Sequence, residues 1–225
     1  DKISIIYSEP SSQLLRNLKE KNSINSNIIE KLDLKNKEYI FYPAQYWAHK
    51  NHIYILEALH ILKSKHNKII KTVFCGADKN NLSYLKSVAE KLKINEEVKF
   101  LNFLNEEEIY NLYNHSFAIV APTYFGPTNH LPIEGFYFEK PVLYSDIWCE
   151  NEQVKGGVIK IDLKKPNDLA EKLFKLSNDN SFLEDYEWKA KEKYKELVIK
   201  IDKSQNTFKE LFENYKILKK NFNNK

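Results

Sequence analysis

From Tyr39 onward, apolar and polar positions follow two alternating periods. The short apolar runs YIFYP (Tyr39–Pro43), IIKTVFCG (Ile69–Gly76), VKFL (Val98–Leu101), FAIVAP (Phe117–Pro122), VLYS (Val142–Ser145) and VIKI (Val158–Ile161) have the length and content of buried parallel strands. Between them, apolar residues recur at helical spacing: Ile53, Leu56, Leu59 and Leu62, then Leu82, Leu85, Val88, Ala89 and Leu92. Asn105 with Glu108 three residues later reads as a capping box before Ile109, Leu112 and Tyr113. After the turn formers Gly126, Pro127, Thr128 and Asn129, a short helix is predicted from Leu131, Ile133, Phe136 and Phe138, with Pro132 in its first turn and Pro141 as its stop. Repeated strand-then-helix units with short connections predict an α/β fold built on a doubly wound parallel sheet with right-handed crossovers.

The flanks read differently. Residues 1–38 hold a predicted strand ISIIYS (Ile3–Ser8), a turn at Glu9–Ser12, an Asn- and Ser-rich connection, and a short helix facing inward through Ile28, Ile29 and Leu32. The last third is helical. Leu169, Leu173 and Leu176 form one stripe, Ser181 with Glu184 caps a second helix, and Thr207 with Glu210 caps a third. On that third helix Phe208, Leu211, Phe212, Tyr215, Leu218 and Phe222 share a face opposite lysines. That face is expected to pack on its own domain. The alternative is docking on a further domain or lying on a membrane surface. The division is thus 1–38 leading into the domain, 39–203 as the ligand-binding domain, and 204–225 as a C-terminal helix.

Composition narrows the function. Aromatic content of 13% and apolar content of 42% supply a core, and no run is long enough for a membrane span. The net charge of +4 comes from lysines scattered among 31 acids, which speaks against a nucleic-acid partner. Two cysteines, Cys75 and Cys149, form no disulfide framework and suit a reducing, cytoplasmic setting. Arg16 is the only arginine, so a phosphate site must use lysine, backbone amides and hydroxyls in place of guanidinium forks.

Ligands of a doubly wound sheet bind beyond the carboxyl ends of its strands, so the loops that follow strands carry the candidate chemistry. YPAQYWAHKNH (Tyr42–His52) places Gln45 and Lys50 between a strand and a helix. The helix dipole disfavours a cation near a helix N-terminus. A bound phosphate would remove that conflict by pairing with the ammonium and the open amides; a solvated lysine is the ordinary alternative. His49 and His52 lack a recognisable third ligand, so polar roles are expected of them before metal binding. In TYFGPTNHLPIEGFYFEKPV (Thr123–Val142), Gly126 and Pro127 fix a turn, Thr128 offers a hydroxyl and Asn129 both donates and accepts. His130 and Leu131 complete the ligand-facing set at the start of the helix. Glu134 lies about one turn inside it. A carboxylate holds phosphate poorly but accepts two hydrogen bonds from a vicinal diol such as a ribose. Gly76 either admits a base or sugar close to the backbone or forms a turn, and Phe103 with Leu104 could wall a base pocket. No serine triad, glycine-rich dinucleotide fingerprint or Walker motif is recognisable.

Taken together, these loops resemble the nucleotide-sugar-binding C-terminal domain of family 4 glycosyltransferases, one Rossmann-like half of the two-domain GT-B fold. The likeness runs from about Tyr39 to the C-terminus. YPAQYWAHKNH resembles the family's first phosphate loop: Lys50 matches its lysine and Gln45 stands where an arginine is usual. FGPTNHLPIEG resembles a segment with two spaced glutamates. Glu134 matches the second, which implies ribose binding, and Gly126 replaces the first, as in a subgroup carrying FGPTN. ENEQVKGG (Glu150–Gly157) resembles the loop that follows. The resemblance implies a retaining transfer of a sugar from a nucleoside diphosphate sugar to an acceptor hydroxyl, with Lys50 and Glu134 as the catalytic pair. It implies no cofactor and no metal. It also implies a glycan or lipid-linked acceptor reached through an N-terminal domain, a role in surface polysaccharide or lipopolysaccharide assembly, and a cytoplasmic setting that allows peripheral membrane association. The alternatives are a nucleotide-sugar epimerase of the same fold and a non-catalytic nucleotide-sugar-binding domain.

Overall fold

The computed structural model describes residues 6–7, 27–126 and 130–223, with side chains as far as residue 219. Six strands form one parallel sheet: β1 (Tyr39–Pro43), β2 (Lys71–Cys75), β3 (Val98–Leu101), β4 (Ala118–Ala121), β5 (Val142–Ser145) and β6 (Val158–Ile161). Their order is β3-β2-β1-β4-β5-β6. The chain winds outward from β1 in one direction and then restarts at β4 in the other, so a topological switch lies between β1 and β4. There the loops that leave two neighbouring strands diverge and open a crevice. The doubly wound sheet expected from the hydrophobic pattern is present.

The central strands are covered on both faces, which is why their sequences are continuously apolar. α2 (His52–His66) follows β1 and packs against α3 (Leu82–Lys91) and against α6 (Pro166–Asn178). Its buried set is wider than the four-residue stripe, because Tyr54, Ile55 and Ala58 are also enclosed between the sheet and α6. α4 (Glu106–His115) begins at the expected capping box: Glu108 N donates to Asn105 Oδ1 at 2.9 Å and Asn105 N to Glu108 Oε2 at 3.0 Å. α5 (His130–Tyr137) carries Glu134. The glycine after it seats this helix close to the sheet, since a β-carbon on Gly135 would lie 2.5 Å from Val142 Cγ2. α1 (Ile28–Lys31) is the short helix expected near Ile28.

Two expectations for the flanks are corrected. The last third is not three capped helices but α6 followed by one continuous helix, α7 (Asn180–Asn223). Asp179, not Ser181, caps its start by accepting from Phe182 N at 3.0 Å. Thr207 lies inside the helix, its hydroxyl donating back to Lys203 O at 3.1 Å, so it caps nothing. No glycine or proline interrupts residues 180–223. The face bearing Phe208, Leu211, Phe212, Tyr215 and Leu218 does not pack on its own domain; all five are at least half exposed. Of the ISIIYS segment only Ile6 and Tyr7 are described, and neither is in a strand. Tyr7 instead donates to Glu152 Oε1 at 2.6 Å and touches α7 at Ser204.

Candidate functional site

A groove crosses the carboxyl ends of the central strands as two adjoining basins. The first, about 450 Å³, is lined among others by Gln45, Lys50, Gly126, His130, Leu131 and Glu134. The second, about 330 Å³, is lined by Gly76, Phe103, Leu104 and Glu106, and it shares Ala44, Gln45 and Glu134 with the first. The loops after β1, β2, β3 and β4 therefore converge where the topology switches, and Lys50 and Glu134, far apart in sequence, line one cavity. Pro127, Thr128 and Asn129 lie outside the described residues.

The loop after β1 is held in place by its neighbours. Tyr42 is buried at the end of its strand and its phenol donates to Lys50 O at 2.9 Å. Tyr46 N donates to Ala77 O at 3.0 Å, and the Tyr46 phenol donates to Leu101 O at 2.7 Å. These bonds sew the β1 loop to the ends of β2 and β3. Gly76 makes the seam feasible: a β-carbon there would lie 2.6 Å from Ala44 O, so no larger residue fits without moving one loop. On the other side, Tyr124 N donates to His49 O at 2.9 Å, joining the β1 and β4 loops. Gln45 accepts from Trp47 Nε1 at 2.9 Å, which turns its amide along the rim.

Lys50 closes a turn of 3-10 helix (Ala48–Lys50), two residues before α2 begins. Burial lowers its pKa from the usual lysine value. Its ammonium lies beside the backbone of Gly126, 3.7 Å from where a β-carbon on that residue would sit. Any side chain at position 126 would start beside this ammonium. Among the described residues no acid forms an ion pair with Lys50. The result is a partly desolvated cation facing a cavity, which is the electrostatic complement of an anion.

The two histidines part company. His52 is enclosed by Tyr42, Tyr46 and Phe74, at 4.8, 5.2 and 5.0 Å between ring centres, and burial holds its pKa down to about 3. His49 stays on the rim, stacked on Trp47 at 6.0 Å. Among the described residues, no cluster of three or more His, Cys, Asp or Glu side chains could hold a metal ion. Cys75 and Cys149 are buried, and burial raises both thiols, leaving little thiolate for nucleophilic attack.

Glu134 sits where the two basins meet. Its Oε2 accepts from the phenol of Tyr113 at 2.6 Å. In the hydrophobic pattern Tyr113 counted only as an inward-facing residue of α4. The one signal of anything more was that its inner end is polar. Phe103, by contrast, stands 88% exposed on the lip of the second basin.

Comparisons with known proteins bear on the family and the fold. The family described as glycosyl transferases group 1 matches residues 25–193. The chain is 27% identical over 163 residues to the O-antigen chain mannosyltransferase RfbU of Salmonella typhimurium, covering 72% of this chain and 40% of that protein. It superposes on Anabaena Alr3699/HepE, solved in complex with UDP and glucose, with a TM-score of 0.71 at 16% identity, over 84% of this chain and 53% of that one. A glycosyltransferase of Rickettsia africae gives 0.73 at 20% identity, over 95% and 58%. The chain thus spans roughly half the length of these proteins or less. At such identities the structural likeness speaks for the fold: the Rossmann-like domain of GT-B glycosyltransferases.

Proposed function

The chain belongs to the group 1 glycosyltransferases, and from that premise we propose that it is the donor-binding half of a retaining enzyme that moves a hexosyl group from a nucleoside diphosphate sugar to an acceptor hydroxyl in surface-glycan or lipopolysaccharide assembly. The observation that carries the reading is the meeting of Lys50 and Glu134 in one groove at the topological switch. A half-buried ammonium suits a diphosphate, and a carboxylate at the junction of two basins suits the two hydroxyls of a ribose between diphosphate and base. Gly76 and Phe103 then bound the base, and Gln45, Gly126, His130 and Leu131 bound the diphosphate and sugar; Pro127, Thr128 and Asn129 are assigned to the same ligand from their sequence chemistry alone.

In the transfer, the bond from the sugar to the diphosphate breaks, a bond from the sugar to the acceptor oxygen forms, and the acceptor hydroxyl gives up its proton, which an oxygen of the departing diphosphate can take. Negative charge grows on the departing diphosphate. A fixed cation aimed at that charge lowers the barrier without reorganising during the step. We assign this task to Lys50 and the amides beyond Gly126, with no metal ion required, so a chelator should leave donor binding intact. Acceptor groups belong to the part of the relatives' length that this chain does not span. The setting we propose is cytoplasmic, at the inner membrane face; among the described residues no helix is long and apolar enough to cross a membrane.

A thermal-shift panel of UDP, GDP, dTDP and CMP sugars tests the reading. One class should raise the melting temperature in a concentration-dependent way, as selective binding to the folded state requires. No stabilisation by any of them would refute it. Sugar transfer by this chain alone would refute the assignment of the acceptor groups elsewhere.

RfbU is described as acting on the O-antigen chain. That description favours a surface glycan over an epimerase product, since an epimerase would release an altered sugar nucleotide without any acceptor.

A further inference from the structure

Tyr113 is fully buried at the end of α4, and its ring is fixed on two sides. It stacks on Phe138 at 4.9 Å with the planes 2° apart, and meets Phe41 edge-on at 5.0 Å. It lines the second basin, and its hydroxyl donates to Glu134 Oε2 at 2.6 Å. A rigid aromatic body with one polar tip on a carboxylate does more than fill the core. It dictates which way that carboxylate points.

We propose that Tyr113 is a positioning residue for ribose recognition, and that its grip on Glu134 makes the groove select ribonucleoside over 2′-deoxyribonucleoside diphosphates. The inference rests on the donor-site reading above. An ionised carboxylate offers about four lone-pair sites on its two oxygens. With one of them committed to Tyr113, the carboxylate is restrained from rotating where it lines both basins. Two neighbouring hydroxyls can then be accepted together, at a smaller loss of side-chain entropy than a freely rotating glutamate would suffer. A sugar lacking the 2′-hydroxyl forfeits one of those two hydrogen bonds. Burial and the adjacent carboxylate both raise the phenol's pKa well above its ordinary value, so it remains a donor throughout the neutral range.

The test is calorimetric titration of this chain, and of Tyr113→Phe, with UDP, GDP and their 2′-deoxy counterparts. Phenylalanine keeps the stacked ring and removes only the hydroxyl, and a thermal melt checks that the variant folds. The expected result is a loss of about tenfold for the ribonucleotide that binds, as for a charge-assisted hydrogen bond, with a change under about twofold for its deoxy analogue. In a Glu134→Ala background the same substitution should add under about twofold, because the phenol acts through the carboxylate. Equal losses for ribo and deoxy ligands, or full additivity with Glu134→Ala, would overturn the assignment while leaving the donor site standing. If the unaltered chain bound neither UDP nor GDP, the donor-site reading would fall and this inference with it.

Discussion

The groove and the tail of α7 are both surfaces with unmet chemistry, but of opposite kinds. In the groove the unmet group is a cation, and the backbone around it is tied by hydrogen bonds from four strand ends. In the tail the unmet groups are apolar. Phe208, Leu211, Phe212, Tyr215 and Leu218 stand exposed, and among the described side chains none beyond Ser204 is buried. The first half of the same helix carries the same periodicity yet buries Ala190, Leu197 and Ile201. The contrast teaches that a 3.6-residue pattern identifies a helix and its apolar face but not what covers it, whereas a polar loop becomes a site only when tertiary contacts hold it rigid.

The strongest way to break this contrast is to cut the same helix on each side of Ser204. Leu197→Ala should lower unfolding stability by about 3 kcal/mol, the cost of a cavity in a closed core. If denaturant titration gave less than about 1 kcal/mol, the packed half of α7 would not be part of the core. Next in size is acid sensitivity at the buried start of α2. His52 has an ordinary unfolded pKa and a folded one of about 3, so below pH 6.5 the unfolded chain takes up a proton that the folded chain refuses. Stability is complete above pH 6.5 and should fall by roughly 2 kcal/mol by pH 5, at about 1.4 kcal/mol per pH unit. His52→Phe should flatten this part of the profile, and an unchanged slope would remove His52 as its source.

Lys50→Ala comes third. Donor affinity should fall about tenfold, or about 1.4 kcal/mol, and unchanged titration would take Lys50 out of the site. Its lowered pKa means that the unfolded chain holds the proton more tightly than the folded chain. The charge therefore opposes folding below the lowered folded value, and the opposition fades as pH rises toward the ordinary lysine value. Lys50→Met should accordingly hold or raise the melting temperature of the ligand-free chain while weakening binding. The smallest effect belongs to the tail. Leu218→Ala should change stability by under about 0.5 kcal/mol, because the side chain is already in water. A larger loss, measured by denaturant titration, would reveal a partner surface such as a second copy of the chain.

Much of this architecture was legible without coordinates. Six apolar runs, the helical stripes between them and the Asn105–Glu108 capping box appear as expected, because strand burial and helix capping are local properties. The caps at Ser181 and Thr207 misled for the same reason. A hydroxyl followed by a glutamate is compatible with a helix start, but Thr207 already had helical neighbours on both sides and bonded back to Lys203. The site was legible only in part. Lys50, Gln45, Gly126 and Glu134 stood out as chemistry after strands, while Tyr113 was hidden within an ordinary hydrophobic stripe.

The amino-acid order alone determined the strands and crossover helices of the sheet, their parallel winding and the loops at the strand ends, since periodicity and crossover handedness leave few other solutions. Only the tertiary structure decided that Lys50 and Glu134 line one cavity, that Tyr113 grips that carboxylate, and that the face of α7 from Phe208 to Leu218 stays exposed. Each of these depends on contacts between distant residues, and no local pattern along the chain encodes which surfaces meet.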